Sequence, residues 1–280
     1  MKTKLLHLSV ILFGYIACIY SMLFTWNLFS ESSLIFKVFV CHVEATIFIY
    51  FLSVIFRNSS WYDACWADIS AAGNVQRAFL MHACLLFWAI RLTYNWMRSW
   101  EGFSHEDWRY IMMKGRTNNK LQYFIVDFGS IHLIPTLCVY MALIPMIYAL
   151  TYPGNELNNL DILAAFLAIA AVIIQIISDQ QMFNFRRNLS EPKTMKSGLW
   201  YYSRHPNYFG EILFWFSLFI FALATNFNFA WLLIGTLIMY ALIAIASVSM
   251  MDKRSLERRS DFKEYMDSTP AIFINIFKRG

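Results

Sequence analysis

Charged residues are scarce in this chain, and apolar residues are in excess. Only 15% of the 280 residues are charged and 59% are hydrophobic, with a mean hydropathy of +0.47. Soluble domains average about 25% charged and roughly 45–50% apolar residues. The composition therefore argues against a soluble globular domain and indicates a polytopic membrane protein.

Metal-site and redox spacings are absent as well. None of the five cysteines forms a CxxC pair, and no two of the six histidines stand in an HxxxH or HExxH arrangement. Zinc sites and disulfide frameworks depend on such spacings. We expect no metal, and we interpret the cysteines as small core residues.

Linkers and repeats are missing too. The chain has 10 glycines and 6 prolines, and nowhere do they collect with serine into a flexible linker. No segment repeats another, as the halves of many transporters do. The sequence therefore predicts one domain over residues 1–280, with a cofactor-binding half at about residues 160–280.

The sequence contains seven long apolar runs. Each is long enough to cross a hydrocarbon core of about 30 Å at 1.5 Å per helical residue. The runs are Leu5–Trp26, Leu34–Phe56, Ala78–Met97, Tyr123–Leu150, Leu160–Phe183, Tyr208–Thr225 and Phe227–Met251. The first is too long for a signal-peptide core, and no small-residue cleavage site follows it. The predicted fold is an all-α bundle of about seven transmembrane helices.

The basic residues are concentrated in three polar segments. Arg98–Gln122, Asn184–Asn207 and Asp252–Gly280 hold 5, 5 and 7 of the 23 lysines and arginines. Seven spans bring these segments to one face, which the positive-inside rule makes cytoplasmic. Lys2 and Lys4 oppose this orientation, but three segments outweigh them. We expect a multi-pass protein with a cytoplasmic carboxy terminus, in the endoplasmic reticulum of a eukaryote or the inner membrane of a bacterium.

The +5 net charge does not indicate nucleic acid, because no basic tract with interleaved aromatic residues is present. A basic cytoplasmic face suits a polyanionic cofactor or anionic lipid equally well. The lipid bilayer is an expected partner, and the oligomeric state is left open.

The segment Ser203–Glu211 carries the densest polar cluster, immediately before an apolar run. Pro206 favours a helix start there, and free backbone N–H groups at such a start attract anions. Asn207 and Glu211 are four residues apart and share a helix face. His205 has two possible roles: it is a structural residue that caps the turn, or it is a proton donor.

A second polar stripe ends the fifth apolar run. Gln175, Asp179 and Arg186 share one helix face and could bind a ribose, an adenine edge or a phosphate. The alternative is an ordinary polar helix end at the membrane interface. Lys193 and Arg204 add positive charge along the loop that follows.

Two residues are candidates for the chemical step. Glu44 is the only carboxylate well inside the second apolar run, where a charged group needs a partner. Tyr94 follows Arg91 near the end of the third run and offers a phenol.

Several of these segments resemble the membrane steroid 5-alpha-reductase superfamily, and especially its branch of DUF1295 proteins. The stretch from Ser197 to Glu211 is the most specific. Supporting matches are Asn58-Ser59-Ser60, Asp63, Trp66, Arg91-Leu92, the run Glu106 to Tyr110, Ser178-Asp179, Glu264-Tyr265 and Thr269-Pro270. The resemblance implies seven membrane helices and NADPH-dependent reduction of an activated C=C bond in a steroid or other lipid-like substrate.

The resemblance also implies residue roles. Asp179 and Arg186 would hold the adenosine and phosphate end, and Lys193 stands where relatives carry arginine. Asn207 and Glu211 would hold the nicotinamide side. The remaining expected cofactor contacts are Gln175, Arg204, His205, Tyr208, Arg254 and Arg258. Hydride would go to the β carbon of an enone whose carbonyl a tyrosine or carboxylate polarises, with Tyr94 and Glu44 as candidates.

Two alternatives stay open. Isoprenylcysteine carboxyl methyltransferases also carry Arg-His-Pro-x-Tyr-x-Gly before a helical hairpin, and they bind S-adenosylmethionine. Glu211 follows the glycine, where those enzymes tend to have tryptophan, and Asp179 with Arg186 favours the reductase. The second alternative is a non-catalytic lipid-binding membrane protein.

Overall fold

The computed structural model describes residues 2–56, 58, 74–103, 106–153, 156–188 and 193–275, with side chains from residue 6 onward. Four residues of the motifs quoted above lie outside the described residues. They are Ser59, Ser60, Asp63 and Trp66.

Helices account for 82% of the structure, and no strand occurs within the described ranges. The α-helices, in chain order, are α1 Lys2–Leu28, α2 Leu34–Phe56, α3 Val75–Ser99, α4 Trp108–Lys114, α5 Lys120–Phe124, α6 Ile134–Thr151, α7 Asn159–Arg187, α8 Leu199–Tyr202, α9 Pro206–Thr225, α10 Leu233–Ala241, α11 Ser249–Arg258 and α12 Phe262–Ser268. A π-helix, Ile125–Leu133, joins α5 to α6, and another, Leu242–Val248, joins α10 to α11. A 3₁₀-helix, Phe227–Leu232, precedes α10.

Seven helical stretches within the described residues are long and apolar enough to cross a membrane. They are Leu6–Leu28, Leu34–Phe56, Val75–Ser99, Lys120–Thr151, Asn159–Arg187, Pro206–Thr225 and Phe227–Arg258. This confirms the predicted all-α class and fits an integral multi-pass membrane protein.

Several helices extend beyond the apolar runs that predicted them. α7 begins at Asn159 because Asn158 and Asp161 form a capping box, and it continues through polar residues to Arg187. The last stretch runs on to Arg258 rather than ending at Met251. Backbone hydrogen bonds continue a helix past the membrane interface, so apolar length marks the span and not the helix end.

The described contacts group into two units. The first comprises residues 1–70 and 92–140, and the second comprises residues 71–91 and 141–280. In the first unit, Ile11 and Cys18 of α1 pack with Ala45 and Ile49 of α2 and with Trp100. Burial of apolar area between these helices stabilises the unit by about 25 cal/mol per Å².

The second unit is organised by close packing of α7 against α9. Small residues of α7, among them Ala164, Ala168 and Ala171, are buried along its length. Gly210 of α9 lies so close to α7 that an added Cβ would stand 2.8 Å from the carbonyl oxygen of Ala171. This close approach brings the polar ends of both helices within hydrogen-bonding range of each other.

Candidate functional site

The centre of the candidate site is the carboxylate of Glu211, on the second turn of α9. Three side chains donate hydrogen bonds to it. They are Trp88 Nε1 at 3.1 Å, Gln175 Nε2 at 2.8 Å and Trp215 Nε1 at 3.0 Å. The Glu211 side chain is 20% exposed, and the part of its carboxylate that is removed from water needs such donors, because each unmet hydrogen bond costs about 1–3 kcal/mol.

A buried ion pair lies directly beside this carboxylate. Arg91 of α3 donates from Nη2 to Asp179 Oδ2, and both side chains are 8% exposed. Arg91 Nη1 also lies 3.9 Å from Glu211 Oε2. One guanidinium therefore faces two carboxylates, and this set of three keeps a net negative charge when all are ionised.

Three buried atoms of the same group of side chains have no hydrogen-bond partner among the described residues. They are Arg91 Nε, Gln175 Oε1 and Asn207 Oδ1. Buried polar atoms in native proteins are nearly always paired. A polar ligand with both donors and acceptors would pair with this one donor and these two acceptors. We call Arg91, Gln175, Asp179, Asn207 and Glu211 the polar cluster.

Local sequence explains how the polar cluster forms. Gln175 and Asp179 are four residues apart on α7, as Asn207 and Glu211 are on α9, so each pair shares a helix face. Gly210 allows the close crossing in which the Gln175 side chain lies against the α9 backbone. The spacing expected from the sequence is thus met on both helices.

Aromatic rings cover the polar cluster on the side of Glu211. The Trp88 ring stacks on Phe214 with centroids 4.9 Å apart, and Trp215 meets Trp88 edge-on at 5.2 Å. All three rings are at most 3% exposed. They keep water from this side of the carboxylate and strengthen its hydrogen bonds by lowering the local dielectric.

Arg186 of α7 and Arg259, which follows α11, interact electrostatically. Burial, together with the neighbouring Arg186 guanidinium, lowers the pKa of Arg259, and Asp261 opposes this effect. Arg186 also interacts electrostatically with Asp179 of the polar cluster. Neither Arg186 nor Arg259 forms an ion pair within the part of the chain that the structure describes. Two guanidiniums that repel each other and form no close ion pair among the described residues favour a bound anion such as a phosphate.

Arg204 and His205 contact the carboxy-terminal segment. Arg204 Nη2 and His205 Nε2 lie 2.7 Å and 3.0 Å from the two oxygens of Asp252 on α11. Arg204 Nη1 also donates to the carbonyl oxygens of Met266 and Thr269. These contacts hold the segment in place, and the expected cofactor contacts of both residues remain predictions.

Further bonds hold the same segment. The Tyr265 hydroxyl donates to the carbonyl oxygens of Trp200 and Ser203, and burial raises the pKa of this phenol. The Thr194 hydroxyl donates to Asp261 Oδ1 at 2.7 Å. Partial burial works against ionisation of Asp261, yet the hydrogen bonds from Thr194 lower its pKa. The segment after α11 is thus packed onto the residues around the Ser203–Glu211 motif.

Other predicted site residues have varied environments. Tyr208 stacks on the His205 ring with centroids 5.3 Å apart, Lys193 and Arg258 are exposed, and Arg254 is half-buried. The two candidates for chemistry belong to the first unit. Tyr94 is 61% exposed beneath the Arg98 guanidinium, and Glu44 accepts a hydrogen bond from Ser21.

Sequence reasoning missed the indole donors to Glu211, the role of Asp252 and the position of Arg259. Trp215 is four residues after Glu211, so helix periodicity was a usable signal. Trp88 and Asp252 have no local signal, because their partners are 123 and 48 residues away.

Comparison with known proteins identifies one family that covers most of the chain. Residues 48–269 match the family described as protein of unknown function (DUF1295). The chain belongs to this family. An uncharacterised protein of Schizosaccharomyces pombe is 24% identical over 259 residues, which cover 79% of this chain and 74% of that protein. No solved structure matches this DUF1295 protein.

Proposed function

We propose that this DUF1295 protein is an NADPH-dependent reductase of an activated C=C bond in a lipid-like substrate such as a steroid. The main support for the proposal is the polar cluster. Its unpaired donor atom and its two unpaired acceptor atoms complement a dinucleotide. The resemblance to the steroid 5-alpha-reductase superfamily, strongest over Ser197–Glu211, supports the same reading.

The chemistry of the polar cluster fits the nicotinamide and ribose parts of the cofactor. Asn207 Oδ1 and Gln175 Oε1 can accept from a carboxamide N–H or a ribose hydroxyl, and Arg91 Nε can donate. A ligand that supplied these partners would relieve three buried polar atoms at once. The cost of leaving each of them unmet, about 1–3 kcal/mol, is a driving force for binding.

The phosphates would bind at Arg186, Arg258 and Arg259. Arg186 follows Asp179 by two turns of α7, so one face of this helix would serve the adenosine ribose and the phosphates. Like charges at Arg186 and Arg259 repel each other, and an anion between them would remove that repulsion.

The chain's own groups would supply binding and orientation, and NADPH would supply the hydride. Asn207 and Glu211 would orient the nicotinamide ring. The Trp88, Phe214 and Trp215 rings would exclude water. Tyr94 and Glu44 belong to the first unit, and their expected role in polarising the substrate stays a prediction. Substrate would come from the bilayer, and the basic segments would face the cytoplasm.

Thermal unfolding of the detergent-purified protein with different cofactors tests the proposal. A ligand that binds only the folded state raises the unfolding midpoint by mass action, and 100-fold excess over Kd adds about 2.7 kcal/mol. We expect NADPH to raise the midpoint and S-adenosylmethionine to leave it unchanged. NADPH oxidation on addition of enone lipids would then identify substrates. Stabilisation by S-adenosylmethionine alone would instead make this protein a methyltransferase.

Matched asparagine variants locate the site. Asn207→Ala should abolish the NADPH-dependent shift and leave the midpoint without ligand nearly unchanged, because its Oδ1 has no partner within the described chain. Asn228→Ala, at an exposed position after α9, is the control and should keep the full shift. An undiminished shift in Asn207→Ala would exclude the polar cluster as the nicotinamide site.

A further inference from the structure

The charge state of Glu211 follows from its hydrogen-bond partners. The indole N–H groups of Trp88 and Trp215 can only donate, and the Gln175 amide presents its NH₂ group to the carboxylate. A protonated carboxyl would need an acceptor for its own O–H, and none of these three contacts supplies one. Donors alone fit the ionised, acceptor-only form, so Glu211 carries a negative charge.

This charge is not balanced within the polar cluster. The cation of the cluster, Arg91, donates to Asp179 and only approaches Glu211, with 3.9 Å between Nη1 and Oε2. Arg186 also attracts Asp179, but it lies seven residues further along α7, which is about 10 Å of helix. In the proposed site its charge serves the phosphates. Glu211 is therefore the negative charge that remains where the nicotinamide is proposed to bind.

The Glu211 carboxylate can also be reached by a ligand. Its side chain is 20% exposed, whereas those of Arg91 and Asp179 are each 8% exposed. Three hydrogen bonds occupy three of the roughly four acceptor positions of a carboxylate. Asn207 is one turn earlier on the same face of α9, so a ligand group held by Asn207 lies next to Glu211.

The two redox forms of a nicotinamide differ in the charge of the ring. The reduced ring is neutral and the oxidised ring is positive, because a hydride takes both bonding electrons with it when it leaves. That hydride forms a bond to the β carbon of an enone, whose π electrons move to the carbonyl oxygen, and water supplies the proton that completes the reduction. An ionised carboxylate beside the ring stabilises the positive form and the transition state that leads to it.

We infer that Glu211 makes the site selective for the oxidised, cationic cofactor and thereby makes bound NADPH a stronger hydride donor. This inference rests on the proposed function. Two unit charges about 4 Å apart change an affinity about fivefold even in water, and more strongly within a protein. We expect NADP⁺ to bind about tenfold more tightly than NADPH, which lowers the two-electron potential of the bound cofactor by about 30 mV.

Isothermal titration calorimetry on the detergent-purified full chain tests the inference by measuring Kd for NADPH and for NADP⁺. The ratio of the two constants is the readout, because a change that merely loosens the site weakens both forms alike. Glu211→Gln nearly keeps the shape of the side chain and removes its charge, so the ratio should fall from about ten to about one.

The possible failures of the two proposals differ. Binding of both forms with equal affinity to the native chain, or an unchanged ratio in Glu211→Gln, would overturn the inference and leave the proposed reductase standing. If neither form binds the native chain, the proposed function is wrong and the inference falls with it.

Two further variants make the test independent of whether Glu211→Gln folds. Asp179→Asn leaves the Arg91 guanidinium to balance Glu211, so it should also lower the ratio towards one. Glu156→Gln removes a carboxylate from an exposed position of the second unit and should leave the ratio unchanged. A native ratio in Asp179→Asn, or an equal fall in Glu156→Gln, would contradict the inference.

Discussion

Two buried arginines of α3 differ in how completely their charge is paired. Arg77 is fully buried and makes a two-pronged ion pair with Asp161, with Nε to Oδ1 at 2.7 Å and Nη2 to Oδ2 at 2.8 Å. Arg91 pairs with Asp179, but its Nε is left without a partner in the described structure. Full pairing indicates a structural contact, whereas incomplete pairing leaves Arg91 able to bind a ligand.

For the Arg77–Asp161 ion pair, we predict that Arg77→Met destabilises the protein strongly. The substitution leaves the Asp161 carboxylate buried and uncompensated, which costs about 3–5 kcal/mol. Unfolding in detergent, followed by circular dichroism, measures the loss. The double variant Arg77→Met with Asp161→Asn should recover part of it. A single variant as stable as the native chain would show that Asp161 finds another partner.

The crossing of α7 and α9 decides whether the polar cluster exists. Gly210 permits the crossing, because an added Cβ would lie 2.6 Å from Gln175 Cγ and 2.8 Å from the Ala171 carbonyl oxygen. Gln175 donates to Glu211 from this same contact. Helix separation here would therefore break a hydrogen bond of the site as well as the packing.

For this element pair we predict that Gly210→Ala lowers stability by about 1–3 kcal/mol, as overpacked cores do. It should also weaken NADPH binding, since Gln175 moves away from Glu211. The control is Gly129→Ala in the first π-helix, where an added Cβ meets nothing within 4 Å. The unfolding midpoint and the NADPH-dependent shift are the readouts, and equal values for the two variants would contradict the prediction.

Charge distribution acts on the molecule as a whole. The three basic segments follow the third, fifth and seventh apolar runs. Seven crossings would therefore bring them to one face of the membrane. From the positive-inside rule we expect the carboxy terminus in the cytoplasm. The dinucleotide site proposed near Arg186 and Arg259 requires this orientation, because NADPH is a cytoplasmic solute.

Reporter fusions in a bacterial inner membrane test the orientation. Green fluorescent protein fused after Gly280 should fluoresce, and alkaline phosphatase at the same position should be inactive. Phosphatase fused after Asn226, between the last two spans, should be active, because the predicted orientation puts that residue at the opposite face. The reverse pattern would place the basic segments outside and exclude a cytoplasmic cofactor.

The sequence alone determined the features that depend on local spacing. Seven spans could be predicted because crossing a bilayer requires a continuous apolar run, which is visible without knowing any neighbour. The pairs Gln175 with Asp179 and Asn207 with Glu211 could be predicted because residues four apart share a helix face. Helix ends were placed less well, since capping at Asn158 extends a helix independently of its apolarity.

Only the tertiary structure decided which polar groups satisfy each other. Arg91 pairs with Asp179 from 88 residues away, and Trp88 reaches Glu211 across 123 residues. Such pairs depend on how helices cross, and the crossing depends on close contacts such as that at Gly210. The polar ends of the helices could therefore be predicted from the sequence. The pairing that leaves Asn207 Oδ1 and Glu44 Oε2 without a hydrogen-bond partner among the described residues could not.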